Sequence, residues 1–397
     1  MTTAYAASRP RTAVVLQLGL AQTLAWASSF YLPAMLATPM AAELGVSRPT
    51  VFAVLSMALV VSALISPWAG RQIDRRGGRA VLMTSTTLFV IGLVLLGLAP
   101  GMGGLLLAWL VLGLAMGSGL YDAAFAALVH LYGREARQPI TGITLIAGFA
   151  STVGWPLSSL MEAHWGWRGA CLGWASLHLL LALPLHACLP GRQDLLRETD
   201  LVASSGPTLQ SQPRPAVPRH MAPLLALLFT LMGFVGTAIA THLPTLLQAT
   251  GATLSAAVAA AALLGPAQVA ARLLELGLLR RRSPLLTARI AALGHPLAAA
   301  VLLSLGAGAA LPFVVLHGLG NGLLTIVIGT LPLALFGAAG YGARQGWIAL
   351  PGRVVSALSP WVFGLAIERW GSDAIWLSAS IGLGAFLLLL AVRLPRA

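Results

Sequence analysis

Four ionisable residues stand inside long apolar runs of this chain. They are Asp122 in GLYDAAF, Arg353 just after Pro351-Gly352, and Arg272 and Glu275 in ARLLE. A charge at the centre of a membrane helix costs at least about 2.5–3.5 kcal/mol, so each needs a partner or a task. Asp122 in such a setting is a candidate proton acceptor; the alternative is a packing acid bonded to a neighbouring Arg or Tyr. Arg353 lies about six residues, or ~9 Å, inside its run. It can contact an anion, serve as an inner-gate partner for Asp122, or snorkel to the interface. Arg272 can form an i,i+3 ion pair with Glu275.

Uncharged polar groups fall near the middle of four runs. They are Gln22, Trp26, Ser29 and Tyr31 in the first; Ser118 and Tyr121 in the fourth; Thr237, Thr241 and His242 in the seventh; and Asn321 and Thr325 in the tenth. Each is either a solute contact or a hydrogen bond to a neighbouring helix. His242 titrates near physiological pH, but it stands near the end of its run, where a wetted or packing role competes. His130, His178, His186, His295 and His317 are scattered and suggest no metal site. Cys171 and Cys188 share one run, too far apart to bond and without metal-ligand spacing. All 24 basic residues are Arg, so a phosphate-binding loop with its lysine is impossible. No cofactor and no catalytic constellation is expected.

The elements that carry these groups follow from hydropathy. The chain has 397 residues, 58% hydrophobic and only 9% charged, against about 25% charged in soluble domains. That excludes an ordinary soluble enzyme and a disordered chain. A bilayer core of ~30 Å needs about 20 apolar helical residues. Such runs fall at roughly 12–36, 50–69, 80–99, 104–130, 140–162, 169–189, 222–248, 254–278, 285–308, 312–337, 346–367 and 372–392. Lipid cannot satisfy backbone groups, so each is read as a helix. The first run is too long for a signal peptide.

With the N-terminus inside, nineteen arginines face the cytoplasm and three, Arg48, Arg168 and Arg369, face out. The positive-inside rule therefore puts both termini in the cytoplasm. It also accounts for the net charge of +13 through anionic inner-leaflet lipid, with no nucleic acid as partner.

A repeat of about 205 residues runs through the chain: GLAMG at 113–117 matches GLGNG at 318–322. Arg137-Gln138 matches Arg344-Gln345, and Glu162, Trp165 and Gly166 match Glu368, Trp370 and Gly371. The expected fold is an all-α membrane protein, with twelve transmembrane helices in two pseudo-symmetric six-helix halves. The halves are 1–190 and 222–397, joined by a polar cytoplasmic linker at 191–221. Parallel six-helix repeats with a midplane site are a transporter architecture.

Between spans 2 and 3 stands GRQIDRRGGR, Gly70 to Arg79. It resembles the signature loop of the major facilitator superfamily, G-x-x-x-D-R-x-G-R, with Gly70, Asp74, Arg75, Gly77 and Arg79 in the matching places. The resemblance covers the whole chain. It implies that the loop acid braces a helix N-terminus, here the start of span 11 near Gly346, and that spans 1, 4, 7 and 10 line the cavity. The internal repeat aligns ARLLE with GRQID, so Arg272 and Glu275 match Arg71 and Asp74 and read as a decayed copy of this loop at the inner end of span 8.

The family's span-4 arginine is absent, its slot held by Trp109 or Gly113. The antiporter pattern in span 5 is partial, with Gly142, Gly148 and Gly154 followed by Trp155-Pro156. Spans 4–6, with Gly166-Trp167-Arg168, are similar to monocarboxylate-type carriers, in which a span-8 arginine holds the carboxylate.

The resemblance implies a monomeric secondary active transporter in a bacterial inner membrane, moving a small organic solute by alternating access with protons as the coupling ion. Arg353 and Arg272 tilt the solute toward an anion. Efflux of toxic amphipathic compounds and a non-transporting receptor on the same fold are the alternatives.

Overall fold

The computed structural model describes residues 11–191 and 218–392. The linker between 192 and 217, with Arg192, Arg197 and Arg214, lies outside the described residues, as do Arg9, Arg393 and Arg396. Eight continuous helical stretches among the described residues are long and apolar enough to cross a membrane. Three are too long for one crossing. Met102–Ala187 runs 86 residues, about 130 Å of helix against a bilayer core of about 30 Å. It divides into spans 4, 5 and 6 at the Gly133–Ala136 turn and at Gly166, and span 4 is itself interrupted at Leu120. Pro284–Phe336 and Tyr341–Ala391 each divide once, at Gly306 and Gly371. These divisions turn eight stretches into the twelve expected spans.

The repeat reappears in backbone geometry. Gly133 and Gly340 both have positive φ, 56° and 62°, and each stands four residues before the matched arginine, Arg137 or Arg344. Gly166 (φ 68°) and Gly371 (φ 57°), each one residue after a matched Trp, turn the chain after spans 5 and 11. A side chain is strained in that region, which glycine enters freely. Ser47 caps span 2 (Arg48–Arg76) through Thr50 N, and Thr253 caps span 8 (254–277) through Ala256 N, both at 3.3 Å. The matched glycines also do the same work. A Cβ on Gly117 would sit 2.5 Å from Ser62 O of span 2, and one on Gly322 would sit 2.5 Å from Gln268 O of span 8. Absent side chains let backbones approach, which is how membrane helices pack.

The chain forms two compact units. One is Met1–Ala216 with Gly337–Trp347; the other is Val217–Phe336 with Ile348–Ala397. The beginning of span 11 thus belongs to the first unit. The interior of the first unit holds Trp109, Trp174 and Phe89, all fully buried. Arg168 ties one end of it: Nε donates to Glu43 Oε1 at 2.7 Å, and Nη1 donates to Gly97 O at 2.9 Å. The second unit packs around Phe313, Phe363, Ile239 and Leu331.

Candidate functional site

Span 11 (Tyr341–Trp370) begins five residues earlier than hydropathy indicates, because its first turn, Tyr-Gly-Ala-Arg-Gln, is polar. Its opening N–H groups have no carbonyl of their own helix to meet. Asp74, at the end of span 2, takes two of them. Oδ1 accepts from Gly342 N at 2.8 Å and Oδ2 from Ala343 N at 2.9 Å. This is the brace implied by the signature loop, one turn ahead of the expected Gly346. Gly346 instead packs on span 2: a Cβ there would sit 2.5 Å from Pro67 Cα. Gly70 is tighter still, since a Cβ there would overlap Gly342 O. Gly77 ends span 2 at φ 84°. Arg75 and Arg79 are exposed.

Asp122 owes its setting to a break in span 4. The first part, Met102–Gly119, ends at Leu120, and a new helix starts at Tyr121. Asp122 therefore stands in a first turn, where the helix dipole favours an anion. It is 8% exposed and accepts from Ser66 Oγ at 3.2 Å. Buried Tyr341 lies within electrostatic reach of both Asp122 and Asp74.

The same break frees a carbonyl, and span 1 meets it. Gln22 Nε2 donates to Gly119 O at 2.6 Å, while Gln22 Oε1, fully buried, has no partner among the described residues. One turn along, Trp26 is the hub of an aromatic cluster. Its ring lies 5.0 Å from Tyr121, 5.6 Å from Phe30 and 6.4 Å from Tyr31. Trp155 of span 5 closes on Tyr31 at 6.1 Å, and Phe125 stacks on Tyr121. The indole Nε1 of Trp26 is buried, again without a hydrogen-bond partner among the described residues. A donor and an acceptor are thus unmet beside a wall of aromatic faces, an arrangement suited to an organic solute with a polar end. Phe30 and Trp155 were not among the sequence candidates; the aromatic at 155 stood out only as a departure from the antiporter pattern.

Several hydroxyl candidates bond their own helix. Ser29 donates to Ala25 O, Ser118 to Leu114 O, Thr241 to Thr237 O and Thr325 to Asn321 O. Such back-bonding satisfies the hydroxyl locally. Thr237 and Asn321 are half-buried, with Asn321 packed toward Gly236 of span 7. His242 takes the packing role. Its Nε2–H donates to Pro360 O at 2.8 Å, and Gly364 leaves room for the ring.

The expected ion pair between Arg272 and Glu275 does not form. Glu275, 1% exposed, accepts from Thr287 Oγ1 of span 9 at 3.0 Å. Arg272 is 5% exposed, and its Nε has no hydrogen-bond partner among the described residues. The carboxylate has found a hydroxyl on the next span, and the buried guanidinium keeps an unmet Nε donor among the described residues. Arg353 is half-buried on span 11.

A fold of membrane-crossing helices, an internal six-helix repeat and a loop acid capping span 11 together define a transporter. The Major Facilitator Superfamily model matches residues 18–360, and the chain belongs to that family. It is a multi-pass integral membrane transporter and not an enzyme. Its fold is similar to that of the human organic anion transporter MFSD10 (TETRAN), with TM-score 0.71 and 17% identity over 96% of this chain and 100% of that one. The proton:xylose symporter XylE, solved with 6-bromo-6-deoxy-D-glucose, matches with TM-score 0.76 and 13% identity over 96% and 95% of the two chains. FucP in its outward conformation matches with TM-score 0.67 and 14% identity over 98% and 99%.

Proposed function

We propose that this transporter moves a small organic anion across a bacterial inner membrane by alternating access, coupled to protons. The observation that carries the reading is Arg272, a guanidinium 5% exposed with an unpaired Nε in a membrane span. A buried cation short of partners is expensive, and an anionic solute supplies the missing one. Taken by itself, the first unit holds an aromatic cluster around Trp26 with an unmet indole N–H and an unmet Gln22 oxygen, and such a cluster suits an organic body. The named cargo of one similar structure, an organic anion transporter, agrees in class.

The test uses radiolabelled benzoate and purified protein in proteoliposomes with an inward proton gradient. Saturable uptake that needs the gradient and is lost in Arg272→Gln and Arg353→Gln is the expected result.

A second reading, efflux of amphipathic cations, is favoured by the same aromatic cluster, since aromatic faces attract cations. Saturable export of a cationic dye with no benzoate flux would replace the first reading with this one.

A further inference from the structure

Two histidines 22 residues apart in sequence meet inside the second unit. His295 on span 9 (Pro284–Leu305) and His317 on span 10 (Ala310–Phe336) bring their Nδ1 atoms to 3.0 Å. They are 6% and 3% exposed, and neither Nε2 has a hydrogen-bond partner among the described residues. Phe313 lies parallel to the His317 ring, at 8°, and roughly edge-on to His295, at 70°. A Cβ on Gly382 of span 12 would sit 3.3 Å from His295 Cδ2.

The proton count follows from imidazole chemistry. A neutral ring carries one N–H. For Nδ1 to bond Nδ1, one ring must donate there and the other must accept. The accepting ring then keeps its proton on Nε2, and the donating ring has a bare lone pair on Nε2. A proton added at that lone pair makes the donating ring an imidazolium. It still donates through Nδ1, now in a charge-assisted bond of greater strength. A second proton would set N–H against N–H at this separation and place two like charges side by side. The pair accepts one proton and resists another.

Beside the pair is a cavity of about 30 Å³, lined among others by Asn321, Gly236 and Met232. A water needs roughly 10–15 Å³ of such space. The lining comes from spans 7, 9, 10 and 12, and among the described residues no Asp, Glu or Arg contributes to it. The two imidazoles are the titratable groups there, and the cavity extends from them to Gly236 on span 7.

We propose that His295 and His317 form a single-proton site that loads and unloads one proton per transport cycle. Its use in the cycle rests on the proton-coupled reading above; the site itself rests on the ring geometry.

The experiment is NMR of the full chain in lipid nanodiscs, with isotope-labelled histidine, from about pH 8 down to about pH 3, because burial disfavours an imidazolium by up to about 3–5 pH units. His295→Asn and His317→Asn assign the signals. The expected result is opposite neutral tautomers at the upper end and one joint protonation step for the two rings. Two rings that stay neutral throughout, or that protonate in two independent steps, overturn the proposal. No solute is needed for this readout. A chain that protonates as described but moves no benzoate contradicts the transport reading alone. A chain that moves benzoate with both rings fixed neutral contradicts the proton site alone.

Discussion

Asp74 and Gly342 stand 268 residues apart in the chain, yet the Asp74 carboxylate accepts the Gly342 N–H at 2.8 Å and the next N–H, from Ala343, at 2.9 Å. Hydrogen bonds to a charged acceptor contribute about 1.5–3 kcal/mol each. Asp74→Ala is expected to lower the melting temperature of the detergent-solubilised protein and to slow transport. Asp74→Asn keeps one acceptor oxygen and is expected to fall between. Equal melting temperatures and fluxes for all three proteins would show that the brace carries no weight.

Backbone contact between span 2 and the start of span 11 makes a second prediction, with its own control. A Cβ on Gly70 would overlap Gly342 O, whereas one on Gly265 meets nothing within 4 Å. Gly70→Ala is expected to reduce stability and flux. Gly265→Ala, inside a helix, is expected to be neutral or to stabilise by up to about 1 kcal/mol. Thermal melts of the two variants check this. A tolerated Gly70→Ala would contradict the close approach.

The unmet donor of Arg272 predicts a trade between stability and binding. Arg272→Met removes a buried cation whose Nε has no partner among the described residues. Its melting temperature without solute is expected to equal or exceed that of the wild type, while the upward shift caused by benzoate disappears. A variant that melts lower and keeps its benzoate shift would assign Arg272 to packing.

Trp26→Phe keeps an aromatic ring in the cluster and deletes the unmet Nε1–H. The only acceptor of benzoate is its charged carboxylate, and a hydrogen bond to a charged group contributes about 1.5–3 kcal/mol, so benzoate affinity is expected to fall by about tenfold or more. Titration of the thermal shift reads this. Unchanged affinity would place the solute away from Trp26.

The spans, their number and the Asp74 loop were legible in the sequence, because each rests on a local signal: apolar length, or a contiguous motif. The breaks were harder to see. Leu120 interrupts span 4 inside the apolar run GLAMGSGLYDAAF, where hydropathy does not change. Yet that break puts Asp122 in a first turn and gives Gln22 a carbonyl to bond. Pairing was least legible. His295 with His317, Glu275 with Thr287 and Tyr31 with Trp155 all join different spans. Sequence spacing ranks contacts along one helix and says nothing of which neighbour a side chain meets. The i,i+3 rule therefore favoured an Arg272–Glu275 pair, whereas the Glu275 carboxylate meets a hydroxyl on span 9.

The central claim is that this chain carries an organic anion through the membrane, and counterflow of benzoate tests it most directly. Proteoliposomes are loaded with unlabelled benzoate and diluted into a trace of labelled benzoate. The expected result is transient accumulation of label above its final level, lost in Arg272→Gln. Binding of benzoate with no exchange of label would contradict the account and leave the chain a receptor that binds without transporting.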